Sequence, residues 1–376
     1  MCEINTHGGN IIVRKILELC LKNGAQLAEP GEFTKRAFLN GRIDLVQAES
    51  VIDIINAKSE REATAGMSQL EGFLSEKIKE IKQDILDVLV NIEVSIDYPE
   101  YDVEEVQNNE ALEMLDKVEL KLKKLEESFD NGKIIKNGIK TVIVGKPNAG
   151  KSSLLNAILK EERAIVTEIE GTTRDTIEEM VNINGIPINL IDTAGIRKST
   201  DEVEKIGIEK SRSMVKKADL VIAIFDSSKE LEEEDIEILQ LIKDKKSIIL
   251  LNKIDLDTKI DENNEKLKEV SNNIIKISAL NKIGIEELGN KISELFNLNQ
   301  INLDNELVIT NVRHKNLISK CIESVKSARI DLEAKTPLDI VTISIKNIID
   351  YMSEITGDNT SEDIINEIFS KFCLGK

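Results

Sequence analysis

The octapeptide Gly145-Lys-Pro-Asn-Ala-Gly-Lys-Ser152 constrains this chain more than any other stretch. It fills every position of the pattern GxxxxGK[ST], and its surroundings agree: Thr141–Val144 reads as a strand, and a helix opens at Ser153. The glycines let backbone N–H groups wrap a chain of phosphates, and the helix N-terminus adds favourable partial charge. Lys151 is placed to reach the β- and γ-phosphates, and the Ser152 hydroxyl to ligate Mg²⁺. Asn148, Ala149, Gly150 and Ser153 complete the expected phosphate-binding set.

Such a loop sits on a βαβ unit, and the sequence around it supplies the other strands. β-branched runs recur at Leu220–Phe225 and Ile248–Leu251 with helical stretches between them, which predicts a mostly parallel sheet. Asn184-Gly185 joins two alternating runs and predicts a hairpin with one antiparallel edge strand. On either side the period becomes helical. Leu70, Phe73, Leu74, Ile78, Ile81, Ile85, Val88, Leu89 and Ile92 form one stripe within Ile43–Ile96; Leu317, Ile318, Cys321, Ile322 and Val325 form another. A further helix through Leu112, Leu115, Val118, Leu122, Leu125 and Phe129 is expected to stop at Asn131-Gly132, leaving a linker up to Asn137-Gly138. The fold class is therefore α plus α/β: a helical domain interrupted by an inserted Ras-like P-loop domain. The boundaries fall at 42–136 and 298–376 for the helical parts and 137–297 for the insert. Cys2–Asn5 looks like the tail of a strand.

Composition narrows the function. Lys and Arg number 50 against 69 Asp and Glu, a net charge of −19, which excludes a surface that grips nucleic acid throughout by counterion release. Three Tyr, eight Phe and no Trp leave little for a base-stacking platform. The four cysteines share no CxxC spacing, so neither a zinc site nor a disulfide framework is indicated. Cys373 is read as a packed residue, and His7 and His314 receive no role. No apolar run approaches a membrane span, and the expectation is a reduced, cytoplasmic, soluble protein without membrane contact.

Three further motifs follow in order. Asp192, Thr193, Ala194 and Gly195 come after the apolar run Ile188–Ile191; Asp192 suits Mg²⁺ held through water, and the Gly195 N–H suits a γ-phosphate. Asn252, Lys253 and Asp255 follow a strand, and the Asp255 carboxylate accepts from the guanine N1–H and exocyclic amine, which adenine cannot supply. The site is thus one for GTP. Ser278, Ala279 and Leu280 follow Ile274–Ile277 and are expected to turn the Ala279 N–H toward guanine O6. The loop Thr167, Glu168, Ile169, Glu170, Gly171, Thr172 and Thr173 supplies a switch threonine for Mg²⁺, Thr173. After the DTAG stretch stands Ile196, where Ras-type enzymes carry a water-orienting Gln, so catalytic help must come from elsewhere. The Asn148 amide oxygen, with switch-loop carbonyls, makes a hard oxygen cage suited to a monovalent cation.

These motifs resemble the translation-factor-like class of small GTPase domains over about 160 residues. The strings GKPNAGKSS, EGTTRDT and DTAGIRKSTDEVEKIGIEKS, with PGEFTKRAFLNGRIDLVQAES before them and the terminal FCLGK, are similar to the tRNA-modification GTPase family MnmE, or TrmE. That resemblance implies a K⁺-stimulated GTPase acting through G-domain dimerisation, as a homodimer joined by an FAD-dependent partner subunit into a heterotetramer, in wobble-uridine modification of tRNA. It implies K⁺ ligation by Asn148 and by main-chain oxygens of Thr167, Ile169 and Thr172. Glu204, on its own residues a solvated acid at a helix start, matches the family glutamate that orients the attacking water. Arg197 matches a basic switch residue.

The family also binds formyl-tetrahydrofolate, and Glu3, Arg42 and Lys376 match those positions. Residues 1–41 would then be a remnant of an N-terminal α+β folate-binding domain whose first part is missing, so that GTP is expected to bind while folate binding and tRNA modification fail. Two other readings are a nucleotide-gated scaffold with vestigial hydrolysis and a ribosome-assembly GTPase. Intact Asn148, Thr173 and Glu204 oppose the first; acidic helical flanks with no basic RNA-binding appendage oppose the second.

Overall fold

A computed structural model describes residues 2–97, 104–161, 179–183, 186–191, 207–296, 298 and 308–372. Within them the Ile43–Ile96 tract is helical as expected, in three helices: Leu45–Asn56, Glu60–Leu70 and Phe73–Asp97. The breaks are chemical. Asp44 accepts from the Gln47 N–H, and the Gln47 side chain accepts in return from the Asp44 N–H. Ser59 caps the second helix by accepting from the Glu62 N–H at 3.1 Å.

The helices before and after the α/β insert share one core. Leu74, Ile78, Ile81 and Ile85 of Phe73–Asp97 meet Leu115, Val118 and Leu122 of the helix Glu104–Asn137. Leu317, Ile318, Cys321 and Val325 of Val312–Glu333 join them, as do Val341, Ile345 and Met352 of Leu338–Thr356. Burial of Cys321 pushes its thiol up to about 12, so it packs as a small hydrophobe rather than reacting. Cys2 and Cys20 are also free, so the cysteines described form no disulfide. A second cluster ties the C-terminal helix Glu362–Ser370 to the start of the bundle, with Phe369 and Phe372 against Phe38, Leu45 and Ala48.

Two expectations are corrected. Cys2–Asn5 forms no strand: residues 2–9 lack regular structure, because a strand needs paired backbone groups and every described strand lies in one sheet between 139 and 276. The helix Asn10–Lys22 that follows buries none of its residues. The second correction concerns Asn131-Gly132, which does not end its helix; the helix runs on to Asn137. Gly132 is there for close approach. A Cβ on it would lie 2.0 Å from the Ile309 carbonyl oxygen, so only glycine lets the returning segment Val308–Asn311 press on the helix. The stop comes at Gly138, whose φ of 72° is the left-handed exit that glycine favours.

The sheet has the order β2-β3-β1-β4-β5-β6, from β1 (Ile139–Val144), β2 (Glu179–Ile183), β3 (Ile186–Leu190), β4 (Leu220–Asp226), β5 (Ser247–Asn252) and β6 (Ile274–Lys276). Only β2 and β3 pair antiparallel, with Ile183 opposite Ile186 as the expected edge strand requires. The rest is parallel. β5 is buried at every position and β4 at all but Asp226, which explains their unbroken apolar runs. Parallel order puts the loops after β1, β5 and β6 at one carboxyl edge, where such sheets bind ligands. No described helix is long and apolar enough to cross a membrane.

Candidate functional site

The loop after β1 is built around a tight turn. The Ala149 N–H donates to the Lys146 carbonyl at 3.3 Å, Pro147 occupies the second position, and Asn148 takes the third with φ 61°. Gly145 lies so close to β4 that a Cβ would meet Ile224 Cγ2 and its carbonyl oxygen, both at 2.6 Å. The helix that follows spans Lys151–Glu161, opening two residues before the expected start. Lys151 Nζ lies across the mouth of the loop and donates to the carbonyls of Gly145 at 2.6 Å and Lys146 at 2.8 Å. Ser152 and Ser153 stand in the exposed first turn, Leu154 and Leu155 in the core.

Asn252, at the end of β5, joins three loops. Its Nδ2 donates to the Ala149 carbonyl at 2.8 Å, and its Oδ1 accepts from the Ala279 N–H at 3.0 Å. The fit is close: a Cβ on Gly150, whose φ is 109°, would lie 2.0 Å from Asn252 Nδ2. The Ala279 N–H, expected to face a purine O6, is thus engaged within the protein, holding the 278–280 loop to the phosphate loop. Asp255 is exposed, and one of its carboxylate oxygens accepts from Ser278 Oγ at 2.5 Å, which orients the acid. Leu280 is exposed beside it.

The acids behind these loops, Asp226, Glu232 and Asp235, were not singled out in the sequence. Lys253, with φ 67°, pairs with Asp226 at 2.6 Å. Burial works to raise the Asp226 carboxyl, but Lys253 and Ser228 outweigh it and hold it below the usual range. Lys146 Nζ pairs with Glu232 at 2.6 Å and with the buried Asp235 at 2.7 Å. Burial opposes the Lys146 charge, and the two carboxylates more than restore it, so its pKa is raised. The run Glu232-Glu-Glu-Asp235 reads only as the acidic start of a helix, where acids are common, and nothing in the spacing linked it to Lys146.

Thr167, Glu168, Ile169, Glu170, Gly171, Thr172, Thr173, Asp192, Thr193, Ala194, Gly195, Arg197, Glu204, Cys373 and Lys376 lie outside the described residues. Glu3 and Arg42 are both exposed, and no hydrogen bond or ion pair joins them. His314, given no role by its sequence, is fully buried; its Nε2 lies 2.8 Å from Glu49 Oε2. Arg313 grips the same carboxylate with two nitrogens and also donates to the carbonyls of Glu354 and Ile355. Burial alone would push Glu49 up, but His314 and Arg313 hold it down at about 2. This triad pins the start of Val312–Glu333 to Leu45–Asn56.

A family profile described as MnmE helical domain matches residues 45–373, and one described as GTP-binding protein TrmE N-terminus matches residues 1–42. The chain is 52% identical over its whole length to tRNA modification GTPase MnmE of Acetivibrio thermocellus and spans 82% of that protein. The corresponding protein of Clostridioides difficile is 54% identical, again over the whole chain and 82% of the relative. Among solved structures, an Aquifex aeolicus Era variant bound to GDP and AlF4⁻ is 26% identical, with a TM-score of 0.30, covering 50% of this chain and 66% of that one. The G domain of the T. maritima FeoB iron transporter is 32% identical with a TM-score of 0.31, covering 42% and 98%.

Proposed function

The chain belongs to the MnmE family of tRNA modification GTPases, and from that premise we propose that it hydrolyses GTP in a K⁺-stimulated reaction at the carboxyl edge of its sheet. The observation that carries the site is the Asn252 clamp, which holds the phosphate loop and the 278–280 loop in one place. Asp255, steadied by Ser278, reads the guanine edge; Lys253 lies beside it. The backbone N–H groups of the loop and Lys151 hold the phosphates, with Lys151 exchanging its bonds to the Gly145 and Lys146 carbonyls for phosphate oxygens.

The residues present suit the implied ions. Ser152 offers one hydroxyl at a helix N-terminus, and Mg²⁺ favours one or two protein oxygens with substrate phosphates and water. Asp192 and Thr173 are the further residues we assign to it. Asn148, an exposed amide held at a turn tip, supplies an oxygen of the kind K⁺ favours, with Thr167, Ile169 and Thr172 as its companions. When bound, such a cation offsets charge that builds on the phosphates in the transition state. Glu204 orients the water and Arg197 steadies the switch segment.

We further propose a homodimer, an FAD-dependent partner subunit completing a heterotetramer, tRNA as the macromolecular substrate, and a cytoplasmic setting. The division at 1–41, 42–136, 137–297 and 298–376 belongs to the same proposal. Folate is different: exposed Glu3 and Arg42, unjoined, do not enclose a pterin, so the residues described do not fit formyl-tetrahydrofolate. The deciding experiment is phosphate release from GTP in K⁺ and in Na⁺, at high protein concentration, with Asn148→Ala beside the parent. The expected result is K⁺ stimulation lost in the variant while GTP still binds. Equal rates for the parent in both salts refute the cation role, and no hydrolysis in either favours the scaffold reading.

A further inference from the structure

Lys146 makes none of the nucleotide contacts assigned above, yet it opens the turn that presents Asn148. In that turn Pro147 fixes its own φ and Asn148 is set in the left-handed region, so the backbone motion left to carry the Asn148 side chain as a whole is tilting of the turn about its two ends. Both ends are held. Asn252 Nδ2 grips the Ala149 carbonyl at 2.8 Å on one side. On the other, the Lys146 ammonium is fixed by Asp235 at 2.7 Å and Glu232 at 2.6 Å, on a different element, the helix Glu233–Ile242.

This anchor is built rather than incidental. Asp235 is 5% exposed, and it also accepts from the Glu232 N–H at 2.9 Å, so its orientation is set before Lys146 meets it. The positive end of a helix dipole repels an ammonium, and the pair of acids at that end reverses the sign locally. The Lys146 side chain is only 17% exposed and Asp235 is buried, so that half of the anchor is shielded from the screening that weakens surface pairs, while Glu232 adds an exposed second pair.

We propose that Lys146, through its ion pairs to Glu232 and Asp235, is a positioning residue that fixes the Asn148 amide and thereby sets the affinity of the site for its monovalent cation. The inference rests on the reading of Asn148 as a cation ligand given above. A single displaced oxygen matters to a small cation shell. It matters little to a nucleotide held by many loop N–H groups, Lys151 and Asp255.

The test uses the full chain carrying Glu232→Gln with Asp235→Asn. Phosphate release at saturating GTP and Mg²⁺ and KM for GTP are measured while K⁺ replaces Na⁺ at constant ionic strength. Over the same series the K⁺ dependence of Tm is read by calorimetry with a non-hydrolysable GTP analogue bound, where its midpoint should shift with the half activation. The K⁺ concentration for half activation should rise about tenfold, the size of one lost positioning contact, with KM changed by no more than about twofold. High K⁺ should restore turnover, and Lys146→Arg, which keeps the ion pairs, should respond like the parent. Unchanged half activation in the folded double variant overturns the proposal, as does a fall in kcat at every K⁺ concentration with a raised KM. A parent indifferent to K⁺ overturns the cation reading and this inference with it, a case that Asn148→Ala identifies by equalling the parent. Should the double variant fail to melt cooperatively, Glu232→Gln alone, at an exposed position, carries the same test with a smaller rise.

Discussion

Replacing Gly132 by alanine sets two effects of opposite sign against each other. At an exposed position inside a helix the change stabilises by about 1 kcal/mol, since alanine gives up less backbone freedom. In the helix Glu104–Asn137, however, the new Cβ would lie 2.0 Å from the Ile309 carbonyl oxygen and 2.9 Å from Val308 Cγ1. The first contact is with backbone, so relief requires Val308–Asn311 to lift away. That lift breaks the bond from the Ile309 N–H to Ser128 Oγ and the bond from Gln69 Nε2 to the Val308 carbonyl, each worth about 1 kcal/mol. It also exposes part of Ile309, now fully buried, at a cost of about 2 kcal/mol. The net expectation is a loss of about 3 kcal/mol. Calorimetry on the full chain with saturating GDP should raise the nucleotide-linked transition and so separate it from the helical one. For a unit of roughly 200 residues that transition should fall by about 6–12 °C. An unchanged or raised Tm would mean that the glycine serves no close approach.

Three other outcomes are expected. Asn252→Ala orphans the Ala149 carbonyl and the Ala279 N–H, and should weaken GDP about a hundredfold in a fluorescent-nucleotide titration; a change under about threefold would refute the clamp. Asp255→Asn should weaken GTP and admit xanthosine triphosphate, because an amide donates to a purine 2-oxo group where a carboxylate cannot; unaltered preference in a competition assay would remove Asp255 from the base site. The Glu49 carboxyl is depressed from 4.5 to about 2 in the folded chain, so its stabilisation is complete above pH 4.5 and is lost as pH falls toward 2. That contribution is roughly 3 kcal/mol, and Glu49→Gln should flatten the acid side of a Tm-against-pH curve.

The parts of the fold legible in the sequence are those where one local rule acts alone. β4 and β5 read as strands because both faces are buried, and Gly145–Ser152 reads as a phosphate loop because glycine, lysine and serine are each required at fixed spacing. Gly132 misled because a glycine that ends a helix and one that admits a neighbouring backbone look alike until Ile309, 177 residues later, is seen against it. Lys146 and Asp235 stayed hidden for the same reason, since only the sheet order brings their elements together. The Ala279 N–H was assigned to a ligand because the sequence shows a donor but not the Asn252 oxygen that already accepts from it. His314 carried no signal, as its partner Glu49 belongs to the opposite end of the chain.

The contact between Gly132 and Ile309 also bears on how such a chain could arise. It places the outgoing and incoming strings of the inserted sheet side by side on the bundle, separated by no more than touching atoms. Excision of the intervening stretch would leave two neighbouring ends that a short turn could close, with the shared core of Leu74, Leu122, Leu317 and Ile345 untouched. Each of these residues comes from a helix outside the sheet. Insertion at such a spot is a change that a pre-existing helical protein could tolerate in a single genetic event, and a bundle rejoined across that spot is a natural starting point for swapping one nucleotide-driven module for another.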